Sequence, residues 1–166
     1  SELFPNLNEL HKLRIGIEGK DTFVDKDIIL DAHFGINTPT KIETSVRPAH
    51  IDNPKVLYAG LLYIKDEEDQ TSGANFGVFK TKNKNLYIDN GRLISNDQVE
   101  LVEQIEYVGN NLVCFLNSKK SVHGVTPKKP SPFTRRYINF NACFSENLFS
   151  LTPNSKLNKL KNFFFN

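Results

Sequence analysis

Val56-Leu57-Tyr58-Ala59-Gly60-Leu61-Leu62-Tyr63-Ile64 is an almost wholly apolar segment. A run of this length, bounded by polar residues on both sides, is typical of a strand that is covered on both faces, since a helix would usually be longer. We therefore predict that this segment is a central β-strand. The elements on either side of it decide the class of fold.

The segments on both sides read as further short strands that are separated by polar turns. The predicted strands are a short edge strand around 13–17, then 28–34, 74–80, 86–88, 98–107, 112–116 and 136–144, of which 98–107 also admits a helix. Strands at this spacing, without helices between them, favour a sandwich or barrel over βαβ units. We predict one mainly β domain over 1–166 with a barrel core at about 28–144.

The two ends of the chain are predicted to flank the barrel. Apolar residues near the N-terminus, at Leu3, Leu7 and Leu10, predict a short helix that leads into the edge strand. The tail from Leu157 to Phe165 is predicted to pack on the barrel as a helix or strand. The fold prediction therefore includes one or two short flanking helices.

Composition sets limits on the partners of the protein. Charged residues make up 24% of the 166 residues and the formal net charge is +2, which gives no reason to expect nucleic acid or an anionic membrane. No apolar run reaches the length of about 18 residues that a membrane span needs, and the N-terminal residues lack a signal pattern. We expect a cytoplasmic protein, with Cys114 and Cys143 as free, buried thiols.

A pair of potential metal ligands precedes the central strand. His50 and Asp52 are two residues apart, so on an extended strand both side chains leave the same face, about 6.6 Å apart. His123 is the best third candidate among the four histidines. Two imidazoles and one carboxylate form the facial triad of non-heme Fe(II) oxygenases, which leaves open coordination positions. A bare His-X-Asp pair is more often two polar residues on a surface strand.

The order of several short blocks makes the metal hypothesis more specific. The blocks are His50–Pro54, Leu61–Ile64, Thr71–Gly73, Leu112–Asn117, His123–Pro127 and Arg136–Ile138. In this order they resemble the prolyl-4-hydroxylase-like branch of the 2-oxoglutarate/Fe(II)-dependent dioxygenases. The resemblance extends over roughly residues 42–144.

The resemblance implies a fold, a cofactor set and a reaction. The implied fold is a double-stranded β-helix (jelly roll) in which His50, Asp52 and His123 hold Fe(II). The implied oxidoreductase consumes 2-oxoglutarate and O₂, with ascorbate as an accessory reductant, releases succinate and CO₂, and hydroxylates a small-molecule, carbohydrate or peptidyl substrate. A cupin-like metal-binding barrel without oxygenase activity is the main alternative. A non-enzymatic β-sandwich binding module is a second.

The resemblance also implies an arginine that binds the far carboxylate of 2-oxoglutarate, on the strand after His123. Arg135 and Arg136 compete for this role. If Arg136 faces inward, an apolar set accompanies it; if Arg135 faces inward, a polar set (Tyr137, Asn139 and Asn141) does. Side chains alternate between the two faces of a strand, and this alternation, or parity, favours the apolar set inside. Parity therefore favours Arg136, with Ile138 and Phe140 buried. Arg135 stays open because the segment 128–132 lengthens the preceding turn.

Four further residues have roles that the resemblance implies or allows. Tyr63 matches a position whose hydroxyl contacts the 2-oxoglutarate carboxylate, with Tyr58 as a substitute. Asn117 could orient a ligand, contact substrate or simply end a strand, and Arg47 could meet an anionic substrate at the cavity mouth. Ala74 replaces the second glycine of a family Gly-Gly pair, which is tolerable if its φ angle is negative.

Overall fold

The computed structural model describes residues 12–83 and 93–150, and these ranges are almost entirely strands and loops. The strands are β1 (Ile15–Ile17), β2 (Ile28–Asn37), β3 (Val56–Tyr63), β4 (Phe76–Thr81), β5 (Val99–Ile105), β6 (Leu112–Leu116), β7 (His123–Val125) and β8 (Arg135–Phe144). A 3₁₀ turn lies at Asn96–Gln98. The prediction of a mainly β chain is confirmed.

The strands form two sheets. The major sheet has the order β1-β2-β8-β3-β6, and the minor sheet has the order β5-β4-β7. The two sheets do not close into one hydrogen-bonded barrel, and their arrangement is consistent with a β-sandwich. No helix in 12–83 or 93–150 has the length and apolar character needed to cross a membrane.

Most predicted strands are present close to their expected bounds. The apolar segment is β3, which lies between β8 and β6, with Ala59 and Tyr63 buried. The edge strand β1 pairs in parallel with β2, and residues 99–105 form a strand instead of a helix. The predicted N-terminal helix, the strand at 86–88 and the tail at 157–165 lie outside the described residues.

Two apolar clusters build the core of the described chain. One lies between the sheets and contains Tyr63, Ala74, Phe76, Tyr107 and Val113. The other contains Ala49, Ile51, Ile94, Val99 and Val122. Ala49 and Ile51 are both fully buried, and full burial of an isoleucine contributes about 1.5–3 kcal/mol. Because these residues flank His50 in an extended segment, their burial fixes the direction of the His50 side chain.

The parity prediction for β8 is wrong. Arg135, Tyr137, Asn139 and Asn141 line a cavity between the sheets, whereas Arg136 is exposed on the outer face. Ile138 and Phe140 share that face and are only half-buried, whereas Ala142, the third apolar residue expected beside Arg136, is buried. The physical reason is that the inner face of β8 borders a polar cavity instead of a dry core, so the polar set belongs inside.

The cysteine prediction is partly correct. Cys114 and Cys143 are both free thiols, as expected. Cys143 is half-buried, and burial raises the pKa of its thiol. Cys114 is exposed, which contradicts the expected burial. It faces outward because its neighbour on β6, Val113, turns inward into the core.

Candidate metal centre

The three predicted metal ligands converge on one point. His50 Nε2 lies 3.4 Å from Asp52 Oδ1, and His123 Nε2 lies 3.4 Å from Asp52 Oδ2. One potential ligand atom from each residue lies within 4.8 Å of the other two. The predicted convergence is confirmed, and the group could hold a metal ion.

Backbone pairing brings the two histidines together. The His50 N–H donates to the His123 carbonyl at 2.8 Å, and the His123 N–H donates back to the His50 carbonyl at 2.9 Å. This antiparallel bridge joins the segment before β3 to the free edge of β7. The two imidazole ring centroids are consequently only 4.3 Å apart.

Gly124 allows the two backbones to approach this closely. A Cβ atom at position 124 would lie 2.9 Å from the backbone of Pro48 and of Ala49, closer than side chains are found in proteins. The absence of a side chain is therefore a requirement of the bridge. Nothing in the bare sequence distinguishes this glycine from an ordinary turn residue.

Gly124→Ala should weaken metal binding by about 10- to 100-fold, which is the usual effect of disturbing the support of a metal ligand. The added methyl group would push the Pro48–His50 segment away from β7 and separate the two imidazoles. Calorimetric titration with Mn²⁺ measures the effect. Gly60→Ala is the matched control, since its Cβ would meet nothing closer than 3.5 Å. Equal affinities for the two variants would contradict the role assigned to Gly124.

The second nitrogen of each imidazole is held by a backbone carbonyl. Nδ1 of His50 lies 2.9 Å from the Pro48 oxygen, and Nδ1 of His123 lies 2.8 Å from the Ser121 oxygen. A neutral ring in this setting donates from Nδ1 and keeps its lone pair on Nε2. Metal-binding histidines are oriented in the same way, so Nε2 is the ligand atom at both positions.

Asn117 ties together the two loops that carry the ligands. Its buried amide donates to the carbonyls of Asn53 at 2.9 Å and Val56 at 3.1 Å. Its oxygen accepts a hydrogen bond from the Ser121 hydroxyl at 3.0 Å. These contacts fit the first of the three roles considered for Asn117, which is to position the candidate ligands.

The electrostatics of the site favour an ionised carboxylate. Burial by itself raises the pKa of Asp52, but hydrogen bonds and charge from the protonated forms of His123 and His50 outweigh it. The net result is a pKa well below the usual range of an aspartate. Asp52 is therefore a negatively charged ligand at neutral pH.

Arg47 contacts the same lone pair that a metal would use. Its Nε donates to His50 Nε2 at 2.7 Å, and its Nη2 lies 3.8 Å from Asp52 Oδ1. The side chain is 58% exposed, so it is free to leave this position. A guanidinium donor and a metal ion exclude each other at His50 Nε2.

Arg47→Ala should therefore tighten metal binding, by about threefold to tenfold, because it removes both a competing donor and a repelling charge. Mn²⁺ titration at low ionic strength checks this. Arg136→Ala removes an equal charge from the outer face of β8 and should change the affinity little. Weaker binding in the Arg47 variant would mean that this residue supports the site instead of competing for it.

A cavity of about 440 Å³ extends from the metal ligands to Arg135. This volume lies within the range of small-molecule sites. Polar lining is provided by His33, Asn37, Asn53, Asn139 and Asn141, and apolar lining by Val46, Val56, Leu61, Phe76, Phe115 and Val125. The cavity therefore combines a wall that carries the candidate metal ligands with a polar wall on the major sheet.

Arg135 is the second charged feature of this cavity. Arg135 is only 1% exposed. Its Nε donates a hydrogen bond to the Ala74 carbonyl at 3.3 Å, and its Nη1 donates one to Asn37 Oδ1 at 3.3 Å. Its Nη2 has no hydrogen-bond partner. Within 12–83 and 93–150, no carboxylate lies within 4 Å of its guanidinium. A buried cation without an anion is costly unless a ligand supplies the anion.

Aromatic rings surround the Arg135 guanidinium. Its central carbon lies 5.0 Å from the ring centroids of Tyr63 and Tyr107 and 4.8 Å from that of Tyr137. Ring faces attract a cation, so this cage stabilises the charge without neutralising it. Tyr137 and Asn37 were not singled out in the sequence, although Tyr137 belonged to the polar set that parity placed outside.

The predicted role of Tyr63 stays a prediction. The residue is fully buried, and its hydroxyl has no hydrogen-bond partner, although it does not line the cavity. Burial raises the pKa of Tyr63, and the charge of Arg135 opposes that shift. Tyr58 leaves the opposite face of β3, so it cannot replace Tyr63.

Arg136 does not reach the cavity, which corrects the assignment made from the sequence. Its side chain is 49% exposed and lies 3.8 Å from Asp66. Ala74 also departs from expectation, because its φ angle is +59°, a left-handed conformation that is unfavourable for alanine. In this conformation the Ala74 carbonyl accepts a hydrogen bond from Arg135 Nε.

Comparison of the chain with protein-family models, with curated proteins and with solved structures finds no match.

Proposed function

We propose that this chain is a 2-oxoglutarate- and O₂-dependent Fe(II) dioxygenase that hydroxylates a small-molecule, carbohydrate or peptidyl substrate. One observation carries the proposal. Arg135, whose Nη2 has no hydrogen-bond partner, and the group His50, Asp52 and His123 line the same cavity. A cosubstrate with a carboxylate at each end could bind both, whereas a simple metal-storage site has no use for the arginine.

The strand order supports a double-stranded β-helix as the fold. From β3 onward the chain alternates between the sheets: β3 lies in the major sheet, β4 and β5 in the minor, β6 in the major, β7 in the minor and β8 in the major. Bridges at Thr40, Thr44 and His50 add the segment between β2 and β3 to the minor-sheet side. If the short edge strand β1 is set aside and the bridged segment 40–50 is counted beside β7, the layers are β2-β8-β3-β6 and β5-β4-β7 plus that segment. Two four-stranded layers with crossing connections are the jelly-roll arrangement.

The donor set fits Fe(II). His50 and His123 offer Nε2, Asp52 offers an ionised carboxylate, and this combination is typical of non-heme iron. The same ligands would also bind cobalt, nickel or zinc. When bound, Fe(II) supplies the redox chemistry that activates O₂, and the chain supplies orientation and a shaped cavity. Asn117, Pro48 and Ser121 hold the ligands in place.

Arg135 fits the far carboxylate of 2-oxoglutarate. Its planar fork can hold a carboxylate through two hydrogen bonds, and its Nη2 is without a partner. The Tyr63 ring packs against this guanidinium, and the Tyr63 hydroxyl is also without a hydrogen-bond partner. In the overall reaction one O₂ oxidises both molecules: 2-oxoglutarate becomes succinate and CO₂, and a substrate C–H becomes C–OH.

The first experiment measures metal and cosubstrate binding separately. The purified protein is analysed for bound metal, loaded with Fe(II) under anaerobic conditions, and titrated with 2-oxoglutarate by calorimetry. Succinate release with ascorbate present is then followed. Metal-dependent binding of 2-oxoglutarate supports the proposal. Metal binding without any affinity for 2-oxoglutarate would favour the cupin-like alternative, and absence of metal binding would favour a non-enzymatic binding module.

A further inference from the structure

Three polar side chains form an array on the cavity-facing side of the major sheet, and one of them, His33, is 54% exposed. Asn139 and Asn141 project from β8, and His33 projects from the neighbouring strand β2, where it is directly opposite Asn139. Neighbouring residues on one face of a strand are about 6.6 Å apart, and paired residues on adjacent strands are about 5 Å apart. All three line the same cavity as the candidate metal centre.

The array lies at the level of the metal ligands. Asn141 pairs with Ala59 on β3, and Ala59 pairs with Phe115 on β6. The Phe115 ring in turn lies 4.4 Å from the ring of His123. Arg135 lies on the same face of β8, at the other end of this row of side chains. A ligand on the array would therefore sit beside the metal ligands, away from the arginine.

The two asparagine amides are available to a ligand. Within 12–83 and 93–150, the side chains of Asn139 and Asn141 make no hydrogen bond. His33 is held by Asp31, whose Oδ2 lies 2.7 Å from His33 Nδ1, so Nε2 is the nitrogen left to face the cavity. Neither amide is among the fully buried polar atoms, so both are accessible to a ligand in the cavity.

We propose that the array binds a hydroxyl-rich ligand, a monosaccharide or glycoside unit, as the substrate of the proposed dioxygenase. Each amide both donates and accepts, and so does each hydroxyl. Neighbouring positions of the array are about 5–7 Å apart, a distance that one sugar ring with its hydroxyls can span. The array carries no net cation, and Asp31 would repel an anionic group. An extended peptide would pair with a strand edge, whereas these groups project from the face of a sheet.

The test uses a panel of methyl glycosides of glucose, galactose and mannose, with N-acetylprolinamide as a peptide-like probe. Binding is measured by saturation-transfer NMR, with and without metal and 2-oxoglutarate. Asn139→Leu and Asn141→Leu should each weaken glycoside binding about threefold to tenfold, and together about 10- to 100-fold. Asn147→Leu, at an exposed position after β8, is the matched control and should have no effect.

The outcomes separate this inference from the proposed function on which it rests. If no glycoside binds, if the Leu variants bind as well as the parent, or if only N-acetylprolinamide binds, the inference is wrong. Metal and 2-oxoglutarate affinities of the same variants should be unchanged, because neither asparagine contacts those groups. Glycoside binding that depends on the array in a protein without affinity for 2-oxoglutarate would support the sugar site and refute the oxygenase.

Discussion

Arg135→Ala should raise the apparent 2-oxoglutarate requirement by roughly 30- to several-thousand-fold, and Arg136→Ala should leave it almost unchanged. Removing one partner of a buried charge pair costs on the order of 2–5 kcal/mol, and each decade in affinity corresponds to about 1.4 kcal/mol. Arg135 is buried with an unpaired Nη2, whereas Arg136 is half-exposed beside Asp66. Calorimetric titration of the Fe(II)-loaded proteins measures both affinities.

Arg135→Lys separates the contribution of the planar guanidinium to 2-oxoglutarate binding from that of its positive charge. Lysine offers a point charge without the paired donors, so it should recover only part of the lost affinity. Affinity for Mn²⁺ should stay the same in all three variants, because none of the metal ligands has changed. If Arg136→Ala produces the large defect, Arg136 and not Arg135 binds 2-oxoglutarate, and its side chain must turn inward to do so. If no variant alters 2-oxoglutarate binding, the oxygenase proposal fails.

The strands and the metal ligands could be predicted because their signals are local. The apolar run at 56–64 becomes β3, and the spacing of His50 and Asp52 places both on one face of an extended segment. The third ligand, His123, is distant in sequence. It was found because the surrounding blocks resemble a family, and no spacing rule would have connected it to His50.

The face of β8 could not be predicted because parity arguments assume a dry interior. The alternative set, Tyr137, Asn139 and Asn141, was assigned to solvent for its polarity. In the fold that set borders a cavity of about 440 Å³, while Ile138 and Phe140 lie on the outer face of the major sheet. Binding sites invert the usual hydrophobic pattern, so parity fails at the strand that carries the site.

Other features depend on tertiary contacts that leave no mark in the sequence. β7 has only three residues and shows no alternation to detect. Gly124 matters because another backbone passes within 2.9 Å of where its Cβ would be. The left-handed conformation of Ala74, at a φ angle of +59°, likewise runs against the preference of its own residue type.

Asp52→Ala should lower metal affinity by more than about 100-fold, because changes outside the ligand set already cost 10- to 100-fold. It removes the charged member of the group and leaves two imidazoles, which bind hard divalent ions weakly. The domain should stay folded, since the Asp52 carboxylate contacts the two histidines and Arg47 and has no part in the apolar clusters. Mn²⁺ titration and thermal unfolding are measured on the same sample.

Thermal unfolding provides the control that separates a lost ligand from a damaged fold. A metal that binds only the folded protein stabilises it by about 2.7 kcal/mol at 100 times its dissociation constant. Added Mn²⁺ should therefore raise the melting temperature of the parent and of Asp25→Ala, in which an exposed carboxylate is removed. It should not raise that of Asp52→Ala. Equal stabilisation of all three proteins would mean that the metal binds elsewhere, and both the candidate centre and the proposed oxygenase would then be wrong.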